Sequence, residues 1–165
     1  MELDTLEKLY IDELRDLWSA EKQIITALPK MIRAANAKSL KQAFTRHLKQ
    51  SRQHKRRLER ICKALGMSPR GKHCGGMEGL IKEGADLIKE RPEPEVLDAG
   101  LITAAQHVEH YEKAGYGTVR TWARVLRYKD QADLLQRTLN EEGDTDKGLT
   151  KLAKRINLSA KLPEG

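Results

Sequence analysis

Aromatic residues are scarce in this chain: one Phe, two Trp and four Tyr among 165 residues, 4% of the total. Valine is scarce too. What remains is dominated by Ala, Leu, Lys, Glu, Arg and Gln, a helix-forming composition. The two cysteines, Cys62 and Cys74, form no Cys-x-x-Cys pair, so neither a disulfide framework nor a dithiol motif is indicated and reduced thiols are expected. No apolar run reaches the length of a membrane span. The Met-Glu-Leu-Asp start carries neither a basic n-region nor an apolar h-region. The expected location is the cytoplasm, with no membrane partner.

A chain of 165 residues suits one domain with a substantial core, and a single domain over 1–165 is expected. Lys and Arg number 31 against 24 Asp and Glu, a formal net charge of +7. Both signs are interspersed along most segments, which reads as a solvated surface. One segment differs: Lys49, Arg52, Lys55, Arg56, Arg57 and Arg60 cluster within one predicted helix. That cluster admits a second reading, an anionic partner such as nucleic acid. No aromatic residue interleaves it, and no groove-reading motif surrounds it.

Four long helices are predicted. Helix A runs from Asp4 or Thr5 to Ala35, with Asp4 able to cap it and Glu7 at the capping-box position. Pro29 is expected to kink this helix rather than end it. Helix B runs from Ser39, its expected cap, to Leu65, with Gly66 as the stop. A long connection follows, with a loop around Gly71, Gly75 and Gly76 and a short amphipathic helix from Met77 to about Glu90. Pro92 and Pro94 end it and open helix C, which reaches Leu126. A tight turn near Arg127 to Asp130 leads to helix D, ending at Ile156. The tail, Asn157 to Gly165, is expected to fray.

Each long helix carries one apolar stripe at alternating steps of three and four, and each stripe turns polar at its midpoint. Helix A reads Leu14, Trp18, Glu21, Ile25, Leu28, Ile32. Helix B reads Leu40, Phe44, His47, Ser51, His54, Leu58, Ile61, Leu65. Helix C reads Leu101, Ala105, Val108, Glu112, Gly115, Val119, with Glu109 flanking. Helix D reads Ala132, Leu135, Leu139, Glu142, Asp146, Leu149. At about 1.5 Å per residue, the midpoints of four similar helices share one level. Glu21, His54, Glu109, Glu112, Glu142 and Asp146 would then meet in one layer of a four-helix bundle. Carboxylates cannot share a dry core without neutralisation. One or two metal ions would supply it, and oxygen-rich ligation with an imidazole suits iron or manganese. Taken singly, several of these side chains could serve elsewhere. Glu142 and Asp146 could pair with Arg137 or Lys147 at a helix surface, and His47, His107 and His110 read as partners or surface groups. Cys74 reads as a packed loop thiol.

Several motifs then stand in order: Ser19-Ala20-Glu21-Lys22-Gln23; Cys74 with Met77-Glu78-Gly79-Leu80-Ile81; Val108-Glu109-His110-Tyr111-Glu112 with Tyr116-Gly117-Thr118; and Thr138-Leu139 with Glu141-Glu142 and Asp146. Over about Leu6 to Leu152 the chain resembles the YciE/YciF family of bacterial stress-associated proteins. The resemblance implies an all-α, ferritin-like four-helix bundle with a long B–C crossover, cytoplasmic and dimeric, with a di-iron or di-manganese site and a ferroxidase-like label. One departure stands out. Typical members carry a Glu-Glu pair followed by Thr on helix B, where this chain has Lys49-Gln50-Ser51. A site holding one metal, two loosely, or none follows from that loss of acid.

Three functions are compatible with these features. The first is a stress-associated, metal-dependent redox protein acting on iron(II), oxygen or peroxide, with Tyr111 or Tyr116 near enough to influence the chemistry. The second is a non-enzymatic structural protein in which the polar layer is a relic. The third is an anion or nucleic-acid binder using the basic face of helix B. Met77, Leu80, Ile81, Leu87 and Ile88 on the short helix suggest a second subunit, hence a homodimer.

Overall fold

Thr5 starts the first helix by accepting a hydrogen bond from the Lys8 amide, so the cap falls one residue after Asp4. In the computed structural model, which describes residues 2–161, five α-helices follow in order: α1 (Leu6–Ala34), α2 (Lys38–Ala64), α3 (Gly75–Glu90), α4 (Pro94–Val125) and α5 (Lys129–Lys161). No strand occurs among the described residues. α1 runs through Pro29 without ending there.

Two helix boundaries differ from expectation. α2 begins at Lys38, and Ser39 is not its cap. The orphan amides of Asn36 and Ala37 are instead taken by the two carboxylate oxygens of Asp98, each at 2.7 Å, from the first turns of α4. Ser39 accepts from Arg155 of α5. α5 continues past Ile156 to Lys161, because no glycine or proline stops it until after that point. The expected tail is therefore helical as far as Lys161, and residues 162–165 lie outside the described residues.

α2 ends as expected. Gly66 takes φ 65°, and the Met67 amide reaches back to the Cys62 carbonyl at 3.0 Å. α4 ends the same way, except that Arg127 occupies the left-handed position at φ 64°.

α1 packs on α2 and α4, and α5 packs on α4 and α2. The pairs α1–α2 and α4–α5 are antiparallel hairpins, and the crossover through α3 carries the chain back along the bundle. α3 lies against α4 and α1, on the far side from α2. The core divides into two apolar clusters. One contains Ile24, Leu28, Leu40, Phe44, Leu101, Ala105, Leu149 and Ile156. The other contains Tyr10, Leu14, Leu17, Leu58, Ile61, Tyr116, Val119, Ala132 and Leu135. On every long helix the residues between these two sets are the polar ones. The midpoint interruptions in the sequence thus become one polar stratum between two dry ones.

Candidate metal centre

Glu21, His47, Ser51, His54, Glu109, Glu112 and Glu142 fill that stratum, each at most 2% exposed. Their atoms fall into two groups. Glu21, His54 and Glu142 form one, and His47, Glu109, Glu112 and Glu142 the other; within each group the donor atoms lie within 4.8 Å of one another. Glu142 belongs to both.

The groups are short of hydrogen bonds. Among the described residues, every buried side-chain oxygen or nitrogen lacking a partner belongs to this layer, except Arg120 Nε. Both oxygens of Glu109, Glu112 and Glu142 are among them, as are both nitrogens of His47 and the Ser51 hydroxyl. Native interiors leave few such atoms unpaired, because each costs about 1–3 kcal/mol or more. So many converging lone pairs fit a cation better than a core. The donor chemistry agrees: four carboxylates balance the charge of two divalent ions, and two imidazoles complete a set suited to iron or manganese.

The supporting contacts are made. His54 Nδ1 lies 2.7 Å from Glu142 Oε1 and 3.2 Å from Glu21 Oε1, while Nε2 lies 2.7 Å from Glu141 Oε2. Arg57 grips the same Glu141 carboxylate with two bonds, at 2.8 and 2.9 Å. An Arg–carboxylate–imidazole chain thereby orients the ring and sets Nδ1 toward the centre. On the other side the Tyr116 hydroxyl donates to Glu21 Oε1 at 2.6 Å. His47 Nδ1 lies 3.1 Å from Glu109 Oε1.

Protons are distributed unevenly across the layer. Burial, and then the Glu142 charge, hold Glu109 well above the usual carboxylate range, and burial with Glu142 and Glu21 does the same to Glu112. Burial would raise Glu142 as well, but neighbouring Glu109 and the His54 ring reverse this and hold it low. Burial opposes a charge on His54, yet Glu21 and the bonds to Glu141 and Glu142 prevail and raise it. His47, with burial dominant, is lowered.

Most of the expected residues meet here, and one does not. Asp146 lies a turn beyond Glu142 at the α4–α5 rim, with Lys113 at 3.1 Å, His110 at 3.1 Å and Gln106 at 3.2 Å. A step of four residues rotates a side chain by about 40°, and a short aspartate cannot recover that distance inward. Gln50 is half-buried and accepts from Thr145 at 3.1 Å rather than turning inward. Ser51 holds the inward position three residues before His54. Helix B therefore offers two imidazoles and a hydroxyl to the layer. His47 and the Arg57–Glu141 pair were not assigned to the centre from sequence. His47 was visible on the inward stripe, whereas Arg57 looked like one more member of a basic run. Of the two tyrosines, Tyr116 touches the centre. Tyr111 instead donates to Asp16 Oδ2 at 2.9 Å and meets Cys74 Sγ at 3.0 Å. Burial raises the Cys74 thiol, which caps α3. His107 and His110 are exposed.

Two antiparallel helix pairs, a long crossover and a carboxylate–imidazole layer drawn from all four helices define a ferritin-like protein with a core able to hold metal. Within that class the chain belongs to the family described as domain of unknown function DUF892, whose model matches residues 5–161. It is 43% identical over 154 residues to Protein YciF of Escherichia coli K12, covering 93% of each chain. The crystal structure of the E. coli stress protein YciF matches with a TM-score of 0.90 at 42% identity, over 93% of this chain and 97% of that one. YcfI of Rhodopseudomonas palustris, provisionally described as a structural protein, matches at 0.87 and 41% identity, over 90% and 95%. A Xanthomonas campestris protein shares the fold alone, at 0.76 and 16% identity. The resemblance to YciE/YciF proteins therefore holds, as does the fold it implies.

Proposed function

We propose that the chain is a stress-associated protein that holds two iron or manganese ions in this layer and handles iron(II), oxygen or peroxide there. The observation that carries the reading is Glu142, shared between two donor groups, with neither of its own oxygens in a well-formed hydrogen bond. Glu142 would help to hold both ions. Glu21 and His54 would complete one position, and His47, Glu109 and Glu112 the other. A bound iron(II) pair supplies electrons to an oxidant. The protein's part is to fix the donors: Arg57 and Glu141 hold the His54 ring, and Tyr116 holds Glu21. The dry clusters above and below keep bulk water from the layer.

Metal analysis of protein from iron- or manganese-supplemented cells tests this. Near two ions per chain are expected, falling to near zero in Glu142→Gln. No metal after anaerobic reconstitution with iron(II) would sink the reading. That result would favour the second function, a metal-free structural protein, which the absence of any helix B carboxylate in the layer supports. We further propose a cytoplasmic homodimer joined through the apolar side chains of α3; a monomer mass by light scattering would remove the dimer.

A further inference from the structure

We infer that the outer face of α2 is a binding surface for the phosphate backbone of duplex DNA. Lys49, Arg52, Arg56, Arg60 and Lys63 are all exposed. Their spacing of three, four, four and three residues puts them in one row along the helix. The row spans about 21 Å at 1.5 Å per residue. It lies opposite the inward residues His47, Ser51, His54, Leu58 and Ile61. Among the described residues none of the five forms an ion pair, whereas Lys55 is taken by Glu59 and Arg57 by Glu141.

The arrangement works against the helix itself. Arg52, Arg56 and Arg60 repel one another at successive steps of four. The first turn holds no acid, and Glu59 is the only acid in α2; it faces Trp18 on α1. An ordinary solvated face mixes signs, as the other helices do. An unneutralised row along a straight helix instead matches a line of phosphates, and most cations on it are guanidiniums, which pair with phosphate oxygens two at a time.

The chemistry of the row favours duplex over other polyanions. Its exposed neighbours on α2 include Gln42, Thr45, Arg46, Gln53 and Ala64. None is aromatic, so there is no platform for unstacked bases. None is a large apolar side chain, so nothing would enter a lipid surface.

Fluorescence anisotropy with a duplex oligonucleotide across a salt series tests the inference. Binding is expected with a slope of log affinity against log salt of about −4, the value for four to five neutralised phosphates. A variant carrying Lys49→Gln, Arg52→Gln, Arg56→Gln and Arg60→Gln should bind at least about tenfold more weakly with a slope near zero. A control carrying Lys129→Gln, Lys147→Gln, Lys151→Gln and Lys154→Gln on α5 loses the same charge and should bind like the parent. Circular dichroism of both variants shows whether they fold. Equal weakening in the control would mean diffuse attraction and overturn the row. So would tighter binding to a single strand or to phosphatidylglycerol vesicles at equal phosphate, or no duplex binding at low salt.

Discussion

Glu142 decides the metal reading because two positions lean on it, but the residues behind the ligands set how tightly those positions hold. Glu141 and Arg57 touch no metal donor except the His54 ring. Removing such an orienting partner costs metal affinity about 10–100-fold. Arg57→Gln is expected to weaken manganese(II) binding in that range, as read by competition with a chelating dye, while leaving the helical spectrum intact. Unchanged affinity would show that the ring is held by packing alone. These roles also mark what sequence can and cannot show. Glu21, Glu109, Glu112 and Glu142 were legible because an acid in the middle of an apolar stripe is expensive and needs a reason. Asp146 fits the same stripe, yet Lys113 and His110 satisfy it at the rim. A stripe reports which side chains face inward; it does not report which atoms converge, and that is where His47 entered and Asp146 left.

At the scale of the helix, the connections carry the information that periodicity misses. The start of α2 has no cap of its own, and Asp98, 61 or 62 residues further along, serves instead. Two charge-assisted bonds of 2.7 Å are worth about 1.5–3 kcal/mol each before the loss of solvation is counted. Asp98→Ala is expected to destabilise the fold by about 2 kcal/mol in urea unfolding, whereas Ser39→Ala should cost less than about 0.5 kcal/mol. The reverse order would restore Ser39 as the cap. α3 is seated by contact rather than capping. A Cβ on Gly76 would come within 2.7 Å of the Tyr111 ring, which is tied to Asp16 and Cys74. Gly76→Ala should therefore cost about 1–3 kcal/mol by the same assay, despite alanine's better helix propensity. The helices themselves were readable from apolar spacing, Gly66 and the prolines. The Asp98 cap was not, because nothing local to Asn36 or Ala37 names a partner so far along the chain.

For the whole molecule, proton balance links stability to metal. Glu109 and Glu112 are raised by burial first and by neighbouring carboxylates second. The metal-free chain therefore binds extra protons when folded, and it loses stability as pH climbs from about 4.3, the unfolded value, toward their raised values. His54 acts in the same pH direction: its contribution is full below about 6.5 and fades as pH rises through its raised folded value. Glu141, held at about 2 by its bond from His54, contributes above about 4.3 and loses that contribution as pH falls through 2. Metal in the proposed site would replace the protons on Glu109, Glu112 and His54, so its binding would release protons and strengthen with pH. The rise in Tm on adding manganese(II) is expected to be larger at pH 8 than at pH 6, with proton release visible in calorimetry across buffers of different ionisation enthalpy. Equal shifts at both pH values would separate the metal from these groups.

The two positions that share Glu142 are unequal seats. One offers Glu21 and His54 beside the shared carboxylate; the other offers Glu109, Glu112 and His47. The second has one more carboxylate, so under the proposed function it would attract a hard divalent ion more strongly and fill first. A half-loaded molecule would then have a preferred form rather than a mixture of two. The order in which a cell presents its metals would decide which pair the protein carries, so one polypeptide could exist as like-metal and unlike-metal species.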